Sequence, residues 1–219
     1  MNLRDLLLNL PKDQPVWALQ ARGLDGHDPS LNDFGEMARH YISEMRSVQP
    51  SGPYYVGGLS LGGVIAYEMA QQLQEAGEQV ALVALLDTHL HHTLLPWRLR
   101  LYFYMMKLRQ YLQSVFSGEL HEKTFNVRTS IARRLSRKRL RKRRHPSGHP
   151  DASVPTLEEV QGDIALAMGR YRPRPYCGRV TLIRAIEPHP DMPTDPAAEW
   201  APWVRGTLEI RNVPGDHMS

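Results

Sequence analysis

The sequence predicts an α/β fold built on a mostly parallel sheet with helices on both faces. Two observations support this prediction. Segments with helical and strand periodicity alternate between Leu3 and Leu86, and strand-like segments resume at Val180. Such alternation is typical of parallel strands joined by crossover helices, and these sheets bind ligands at the carboxyl ends of their strands. The 219 residues are enough for one core of useful size.

The first part of the chain contains three predicted helices and three predicted strands. Apolar residues at i, i+3, i+4 and i+7 mark the helices, whereas short apolar segments between Gly and Pro residues mark the strands. In chain order, the elements are a helix from Leu3 to Leu10, a strand from Pro15 to Leu19, a helix from Phe34 to Val48 with Ser30 and Asp33 spaced as a capping box, a strand from Tyr54 to Leu59, a helix from Leu61 to Ala76 closed by Gly77, and a buried strand from Val80 to Leu86.

After the last of these strands the pattern changes. The later elements are a helix from Trp97 to Phe116, a polar and basic stretch to about Val154, a helix from about Thr156 to Tyr171, and strands from Val180 to Arg184 and from Thr207 to Val213. Residues 1–219 are therefore predicted to form a single domain with an insertion at about 92–170. In this insertion, Met105, Met106 and the aromatic residues from Tyr102 to Tyr104 are expected to form core, with a channel lining as the alternative.

The positive charge of the chain is concentrated in one segment. Nine of the 27 Lys and Arg residues lie between Arg133 and Arg144, which leaves 18 basic against 23 acidic residues, a net charge of −5, elsewhere. A solvated face is the favoured interpretation of this basic run, and docking of an acidic partner protein is the second. Nucleic acid is disfavoured as a partner because no aromatic side chains interleave the run.

Other classes of protein are excluded by composition. The single cysteine, Cys177, excludes an internal disulfide framework and a Cys-rich zinc site. The longest aliphatic run, Val80–Leu86, is too short to span a bilayer, so a cytoplasmic protein without membrane contact is expected. The histidines His89, His91 and His92 are interpreted as part of a loop, and no metal site is predicted.

The strongest chemical signal is the Gly-x-Ser-x-Gly motif formed by Gly58, Leu59, Ser60, Leu61 and Gly62. It lies between a predicted strand and a predicted helix, which is the context that a nucleophile elbow requires. Residues two before and two after the serine must be small because the turn is sharp. The motif predicts Ser60 as a nucleophile, with the backbone N–H of Leu61 as half of an oxyanion hole.

A serine nucleophile needs a base, and the base needs an orienting carboxylate. Asp87 follows the strand after the elbow helix, so its side chain is expected at the same sheet edge as Ser60. His217 follows the last predicted strand, where a loop can return its imidazole to Ser60. The predicted catalytic residues are thus Ser60, Asp87 and His217.

Several separated motifs complete this pattern. They are Gln14 with Gln20–Leu24, His40 with Tyr41, the elbow with Gly62 and Gly63, Tyr171–Tyr176 ahead of Val180–Leu182, and Gly215–His217. In this order, and over nearly the whole chain, they resemble the thioesterase domains of nonribosomal peptide and polyketide synthases. The resemblance implies an α/β-hydrolase fold with a mobile helical lid. It further implies hydrolysis or cyclising release of an acyl chain held on the phosphopantetheine of an acyl or peptidyl carrier protein, with no cofactor of the domain's own.

The resemblance also bears on the acid and on the ends of the chain. Some relatives take the acid from a later loop, where this chain has Asp191 and Asp195, so Asp195 is the alternative acid. The family's domain starts before the first helix of this chain and continues past the catalytic histidine. The domain is therefore expected to be incomplete at both termini, and the alternative function is an inactive remnant or a carrier-protein-binding module without hydrolase activity.

Overall fold

The computed structural model describes residues 6, 8–22, 31–116, 164, 167–187 and 195–216, without the side chains of residues 114–116. The chain divides into two units, one formed by Met1–Arg100 with Val154–Ser219 and the other by Leu101–Ser153. In chain order, the elements are α1 (Phe34–Val48), β1 (Tyr54–Leu59), α2 (Leu61–Glu75), β2 (Val80–Leu86), a 3₁₀ turn (His92–Leu94), α3 (Trp97–Phe116), β3 (Arg179–Ala185), α4 (Pro196–Trp200) and β4 (Thr207–Val213).

The first unit is built on a parallel sheet. Its four strands lie in the order β1-β2-β3-β4, and each strand is parallel to its neighbours. Leu59 pairs with Leu86, Leu86 with Ile183, and Ala185 with Val213, so the carboxyl ends of all four strands meet at one edge. The predicted parallel sheet and the strands from Tyr54 onward are confirmed.

Helix α1 forms where its apolar stripe predicts it. Its buried residues are Phe34, Met37, Ala38, Tyr41 and Ile42, which lie on one face of a helix. The predicted capping box, with Ser30 as the N-cap and Asp33 three residues later, is wrong because the helix begins further along the chain. The first helical residue is Phe34, so the N-cap is Asp33 itself, whose carboxylate accepts a hydrogen bond from Glu36 N–H at 3.0 Å. Ser30 lies outside the described residues.

Helix α2 packs on β1, β2 and α1 and ends in a Schellman motif. Gly77 has a φ of +78°, a left-handed conformation that glycine adopts without a Cβ penalty. Its N–H donates to Gln74 O at 3.0 Å, and Glu78 N–H donates to Leu73 O at 2.9 Å. These bonds satisfy carbonyls that the helix end leaves unpaired, so the predicted stop at Gly77 is confirmed.

The predicted strand from Pro15 to Leu19 is wrong. These residues have no regular structure, and Val16 and Trp17 are 48% and 71% exposed. A strand needs a hydrogen-bonded neighbour, and no described strand pairs with this segment. In the predicted helix from Leu3 to Leu10, Leu6 and Leu8 are helical, whereas Asn9 and Leu10 are not. In the predicted helix from about Thr156 to Tyr171, residues 164 and 167–170 are helical, whereas Tyr171 is not.

An aromatic cluster joins the short helix α4 to α2. Tyr67 of α2 and Trp200 of α4 are both fully buried, with ring centroids 5.2 Å apart, and the ring of Tyr176 lies 5.9 Å from that of Tyr67. The Tyr67 hydroxyl lies 2.6 Å from Trp203 O and 3.1 Å from Arg174 O. Burial raises the pKa of Tyr67. The cluster therefore fixes α4 beside the sheet.

The second unit is described only over residues 101–116 of α3. The expectation that Tyr102, Tyr104 and Met105 form core is wrong, because they are 51%, 49% and 57% exposed. The half-buried residues of this segment follow a different stripe: Phe103, Met106, Lys107 and Gln110. Apolar periodicity therefore predicted the helix but not which of its residues are half-buried. No helix in the described part of the chain is long and apolar enough to cross a bilayer.

Candidate active site

Ser60 occupies a sharp turn between β1 and α2. Its backbone has φ 52° and ψ −120°, a conformation that non-glycine residues rarely adopt and that surrounding structure must hold in place. Its N–H donates to Leu86 O at 2.8 Å, which continues the pairing of β1 with β2 by one residue. Its side chain does not cap the helix. The half-buried hydroxyl therefore stands at the carboxyl edge of the sheet.

The glycines around this turn have unequal roles. A Cβ on Gly58 would come within 2.6 Å of Gly63 N, and a Cβ on Gly63 would come within 2.8 Å of Thr88 Cγ2 and 2.9 Å of Gly58 O. At Gly62, by contrast, no described atom lies within 4 Å of an added Cβ. The expectation that the residue two after Ser60 must be small is therefore wrong; the residue three after it has the tight contact.

Leu61 is the first residue of α2. Its N–H therefore belongs to the first turn, whose N–H groups have no carbonyl partner within the helix and carry the positive end of the helix dipole. The Ser60 carbonyl accepts a hydrogen bond from Gly63 N–H at 3.0 Å, which closes this first turn. The predicted oxyanion donor thus lies beside the predicted nucleophile.

Asp87 follows β2 directly, beside Ser60 on the neighbouring strand. Its φ is +41°, also in the left-handed region. Its N–H donates to Ile183 O at 2.7 Å, and its Oδ1 accepts a hydrogen bond from Ala185 N–H at 3.3 Å. The side chain is 15% exposed. The carboxylate is therefore held between the ends of β2 and β3, at the edge that also carries Ser60.

His217 lies outside the described residues, but the chain leading to it does not. Ile186 N–H donates to Val213 O at 2.9 Å, and Glu187 N–H donates to Gly215 O at 3.0 Å. Gly215 has a φ of +113°, which favours glycine there. These bonds hold the segment up to Asp216 at the carboxyl edge of the sheet.

The alternative acid has a different environment. Asp195 is the N-cap of α4, and its Oδ1 accepts a hydrogen bond from Ala198 N–H at 2.9 Å. This is a helix-capping role. Asp191 and the basic run from Arg133 to Arg144 lie outside the described residues.

Sequence reasoning missed Thr88, the residue after Asp87. It is 1% exposed, and its hydroxyl donates to Leu86 O at 3.1 Å and lies 3.5 Å from Gly58 O. Its side chain also faces Gly63. The pair of adjacent glycines after Ser60 was the available signal, since a second glycine beyond the motif indicates a close approach.

Sequence reasoning also missed a buried contact between a histidine and a glutamate next to Asp87. His89 Nδ1 lies 3.0 Å from Glu199 Oε2, and His89 Nε2 lies 3.9 Å from Asp87 Oδ1. The exposed fraction is 10% for the His89 side chain and 0% for that of Glu199. Glu199 comes from α4, so no local pattern around Asp87 could have indicated it.

The other histidines of this loop form a separate feature. His91 Nδ1 lies 2.8 Å from Thr93 Oγ1, and the rings of His91 and His92 are 4.1 Å apart. Burial lowers the pKa of His91, with smaller contributions from the charges of His92 and Arg172. Within the described ranges, no group of three His, Cys, Asp or Glu side chains is arranged to hold a metal ion.

The chain matches a family model along almost its entire length. Residues 4–219 match the model described as Thioesterase domain. Over 218 residues the chain is 30% identical to a dimodular nonribosomal peptide synthase of Bacillus subtilis (strain 168), a match that covers 97% of this chain and 9% of that protein. Over 216 residues it is 27% identical to malpibaldin synthetase of Mortierella alpina, covering 97% of this chain and 3% of that synthetase.

A solved structure extends the similarity to the fold. The NocB thioesterase domain, in a covalent complex with a fluorophosphonate nocardicin G analogue, matches with a TM-score of 0.56 and 27% identity, covering 91% of this chain and 72% of that one. The predicted fold class and family are confirmed. The chain spans less than a tenth of the synthetases above. It belongs to the thioesterase domain family, hydrolases of thioesters with an α/β-hydrolase fold, and its relatives include nonribosomal peptide synthetases.

Proposed function

We propose that this chain releases acyl groups from thioesters by a Ser-His-Asp mechanism, with Ser60 as nucleophile, His217 as base and Asp87 as the orienting acid. The observation that carries the proposal is the strained conformation of Ser60 at the carboxyl edge of the sheet, one strand away from Asp87. Backbone strain of this kind concentrates at functional sites. The helix-capping bond of Asp195 supports Asp87 as the acid.

The reaction has two stages. First, His217 accepts the hydroxyl proton as Ser60 Oγ attacks the thioester carbonyl carbon, and the oxygen that gains negative charge is stabilised by Leu61 N–H. The C–S bond then breaks, His217 returns the proton to the leaving thiolate, and an acyl-serine ester remains. In the second stage, water or a nucleophile within the acyl chain attacks that ester, and Ser60 recovers its proton. Asp87 stays ionised throughout and stabilises the protonated imidazole.

The proposed substrate is an acyl, peptidyl or polyketide chain on the phosphopantetheine arm of a carrier protein. The support is the relatives, which include a dimodular nonribosomal peptide synthase. In this proposal the carrier protein is the partner and the cytoplasm the location, and the arm belongs to the substrate, so the domain needs no cofactor for the chemistry above. The choice between hydrolysis and cyclisation depends on how far the bound acyl chain is shielded from water.

The test is covalent trapping of the serine. The purified chain is treated with a fluorophosphonate and its intact mass is measured by mass spectrometry, alongside the variants Ser60→Ala and His217→Ala. We expect one adduct on the wild type and none on either variant, followed by faster turnover of a pantetheine thioester than of the matching oxoester. An adduct that persists in Ser60→Ala contradicts the proposed nucleophile, and an unlabelled wild type supports the carrier-binding alternative.

A further inference from the structure

Thr88 lies against the serine turn, although it has no part in the reaction steps above. The residue is buried, and its hydroxyl donates to Leu86 O at 3.1 Å. The same carbonyl oxygen accepts a hydrogen bond from Ser60 N–H at 2.8 Å. A carbonyl oxygen has two lone pairs, so it can accept both hydrogen bonds at once. The hydroxyl of Thr88 and the backbone of the proposed nucleophile are therefore joined through one atom.

The side chain of Thr88 also limits the space beside the glycines of the turn. Its Cγ2 lies 2.8 Å from the position of a Cβ added to Gly63, and its hydroxyl oxygen lies 3.5 Å from Gly58 O. Gly63 belongs to the first turn of α2, where its N–H donates to Ser60 O at 3.0 Å. Thr88 thus contacts the backbone on both sides of Ser60 in sequence.

The backbone of Thr88 is itself fixed. Its carbonyl oxygen accepts a hydrogen bond from Trp200 Nε1 at 3.1 Å, and the Trp200 indole is fully buried. That indole packs against the ring of Tyr67, with centroids 5.2 Å apart. Because a β-branched side chain has restricted χ1 rotation, a fixed backbone also fixes the positions of the hydroxyl and the methyl group. Thr88 is therefore a rigid contact for the serine turn.

The serine turn needs rigid contacts because its conformation is unfavourable. Ser60 has φ 52° and ψ −120°, and strain of this kind persists only where surrounding structure holds the backbone. We propose that Thr88 is a positioning residue for the nucleophile, which keeps Ser60 in this conformation through the carbonyl of Leu86. The hydroxyl of Ser60 then stays at the carboxyl edge of the sheet. This inference rests on the proposed function, because it assigns Thr88 to the placement of the proposed nucleophile.

Two substitutions separate the hydroxyl of Thr88 from its methyl group. Thr88→Val keeps the branched shape but places a methyl group where the hydroxyl lies, 3.1 Å from Leu86 O. Carbon and carbonyl oxygen atoms in contact are typically about 3.3–3.6 Å apart, so the carbonyl that accepts the Ser60 N–H must move. Thr88→Ser keeps the hydroxyl and loses only the methyl group that faces Gly63. The matched control is Thr181→Val, because Thr181 is also buried but lies in the middle of β3.

The rates are measured well below the unfolding midpoint of each variant, so that every sample is folded. In Thr88→Val, the rate of Ser60 labelling by a fluorophosphonate and the kcat for an octanoyl N-acetylcysteamine thioester should each fall about 10-fold, since small misplacements of catalytic groups cost up to about 10²-fold. KM should stay within about two-fold, because the buried Thr88 does not contact the substrate. Thr88→Ser should restore both rates to within about three-fold of the wild type, and Thr181→Val should change neither (both by the same reasoning).

Hydrogen exchange supplies a readout that does not depend on catalysis. The amide of Ser60 is protected by its bond to Leu86 O, so its exchange rate reports how firmly the turn is held. Thr88→Val should raise this rate about 10-fold and leave the rate at Val83, in the middle of β2, within about two-fold. General destabilisation would instead raise the exchange rates at both amides together.

The outcomes separate this inference from the proposed function. If the wild type is labelled, Ser60→Ala is not, and Thr88→Val keeps the wild-type rates, the positioning role fails while the Ser-His-Asp mechanism stands. Equal losses of rate in Thr88→Val and Thr88→Ser would also overturn it, because the hydroxyl would then not be responsible. If the wild type is not labelled, the proposed function fails, and the exchange rate decides the role of Thr88 in holding the turn. Faster exchange at Ser60 in Thr88→Val supports that role, and unchanged exchange overturns it whatever the rates.

Discussion

The turn around Ser60 and the turn around Asp87 lie side by side at one sheet edge, but they are held by different means. The serine turn is built from consecutive residues: Gly58 and Gly63 approach each other within a span of six positions, and α2 begins directly after the nucleophile. The acid turn depends on distant residues, since α4 supplies Glu199 and Trp200. A nucleophile can therefore be predicted from a short motif, whereas the support of its acid cannot.

The largest effect should come from removing the acid's charge. We expect Asp87→Asn to lower kcat by roughly 10⁴-fold, because a neutral amide favours the wrong histidine tautomer and cannot stabilise the imidazolium. Asp195→Asn should leave kcat unchanged, since asparagine also caps helices well. Steady-state kinetics with an octanoyl N-acetylcysteamine thioester as substrate measure the kcat of both variants. Loss of activity in Asp195→Asn alone would reverse the assignment of the acid.

The next effect tests the contact that joins the two turns. Gly63→Ala should destabilise the fold by about 1–3 kcal/mol, because its methyl group would overlap Thr88 and Gly58, and overpacking typically costs that much. Gly62→Ala has open space among the described atoms and should be neutral or slightly stabilising. Urea unfolding of the two variants makes the comparison. Equal destabilisation at both positions would mean that the serine turn is crowded on both sides.

A smaller effect tests a feature that depends on local sequence alone. Gly77→Ala should lower the free energy of unfolding by about 1 kcal/mol, because alanine at a φ of +78° carries the left-handed Cβ penalty. Gly77→Asn should lose less, since asparagine tolerates this region. Thermal unfolding distinguishes the two variants. A loss of several kcal/mol in Gly77→Asn would show that tertiary contacts, rather than backbone conformation, dominate at this helix end.

The smallest effect concerns pH. The pKa of His91 is lowered in the folded protein, so below its ordinary value near 6.5 the unfolded state binds more protons than the folded state. The resulting stability is present above that pH and is lost as the pH falls through the folded pKa. His91→Asn should therefore make the free energy of unfolding depend less on pH between about pH 5 and 7, the range around the ordinary pKa of histidine. An unchanged profile would assign the acid sensitivity of the loop to another group.

The elements that were predicted correctly share a short-range cause. The stripe of α1, the Schellman glycine of α2 and the apolar strand β2 are each visible within one segment, because periodicity and capping act over a few residues. The failures have a long-range cause. Pro15–Leu19 is apolar but has no strand beside it among the described residues, and the apolar residues of α3 that were expected to form core, such as Tyr102 and Met105, are exposed.

The sequence by itself determined the fold class, the family and the position of the candidate nucleophile, because the elbow needs only small residues, a strand before it and a helix after it. Its motifs also placed Asp87 at the matching sheet edge. Only the tertiary structure decided which glycine has the tight contact and which groups surround the acid. The physical reason is that Thr88, His89 and Glu199 are brought together by the folding of the sheet and α4, and contacts between distant segments leave no periodic pattern in the chain.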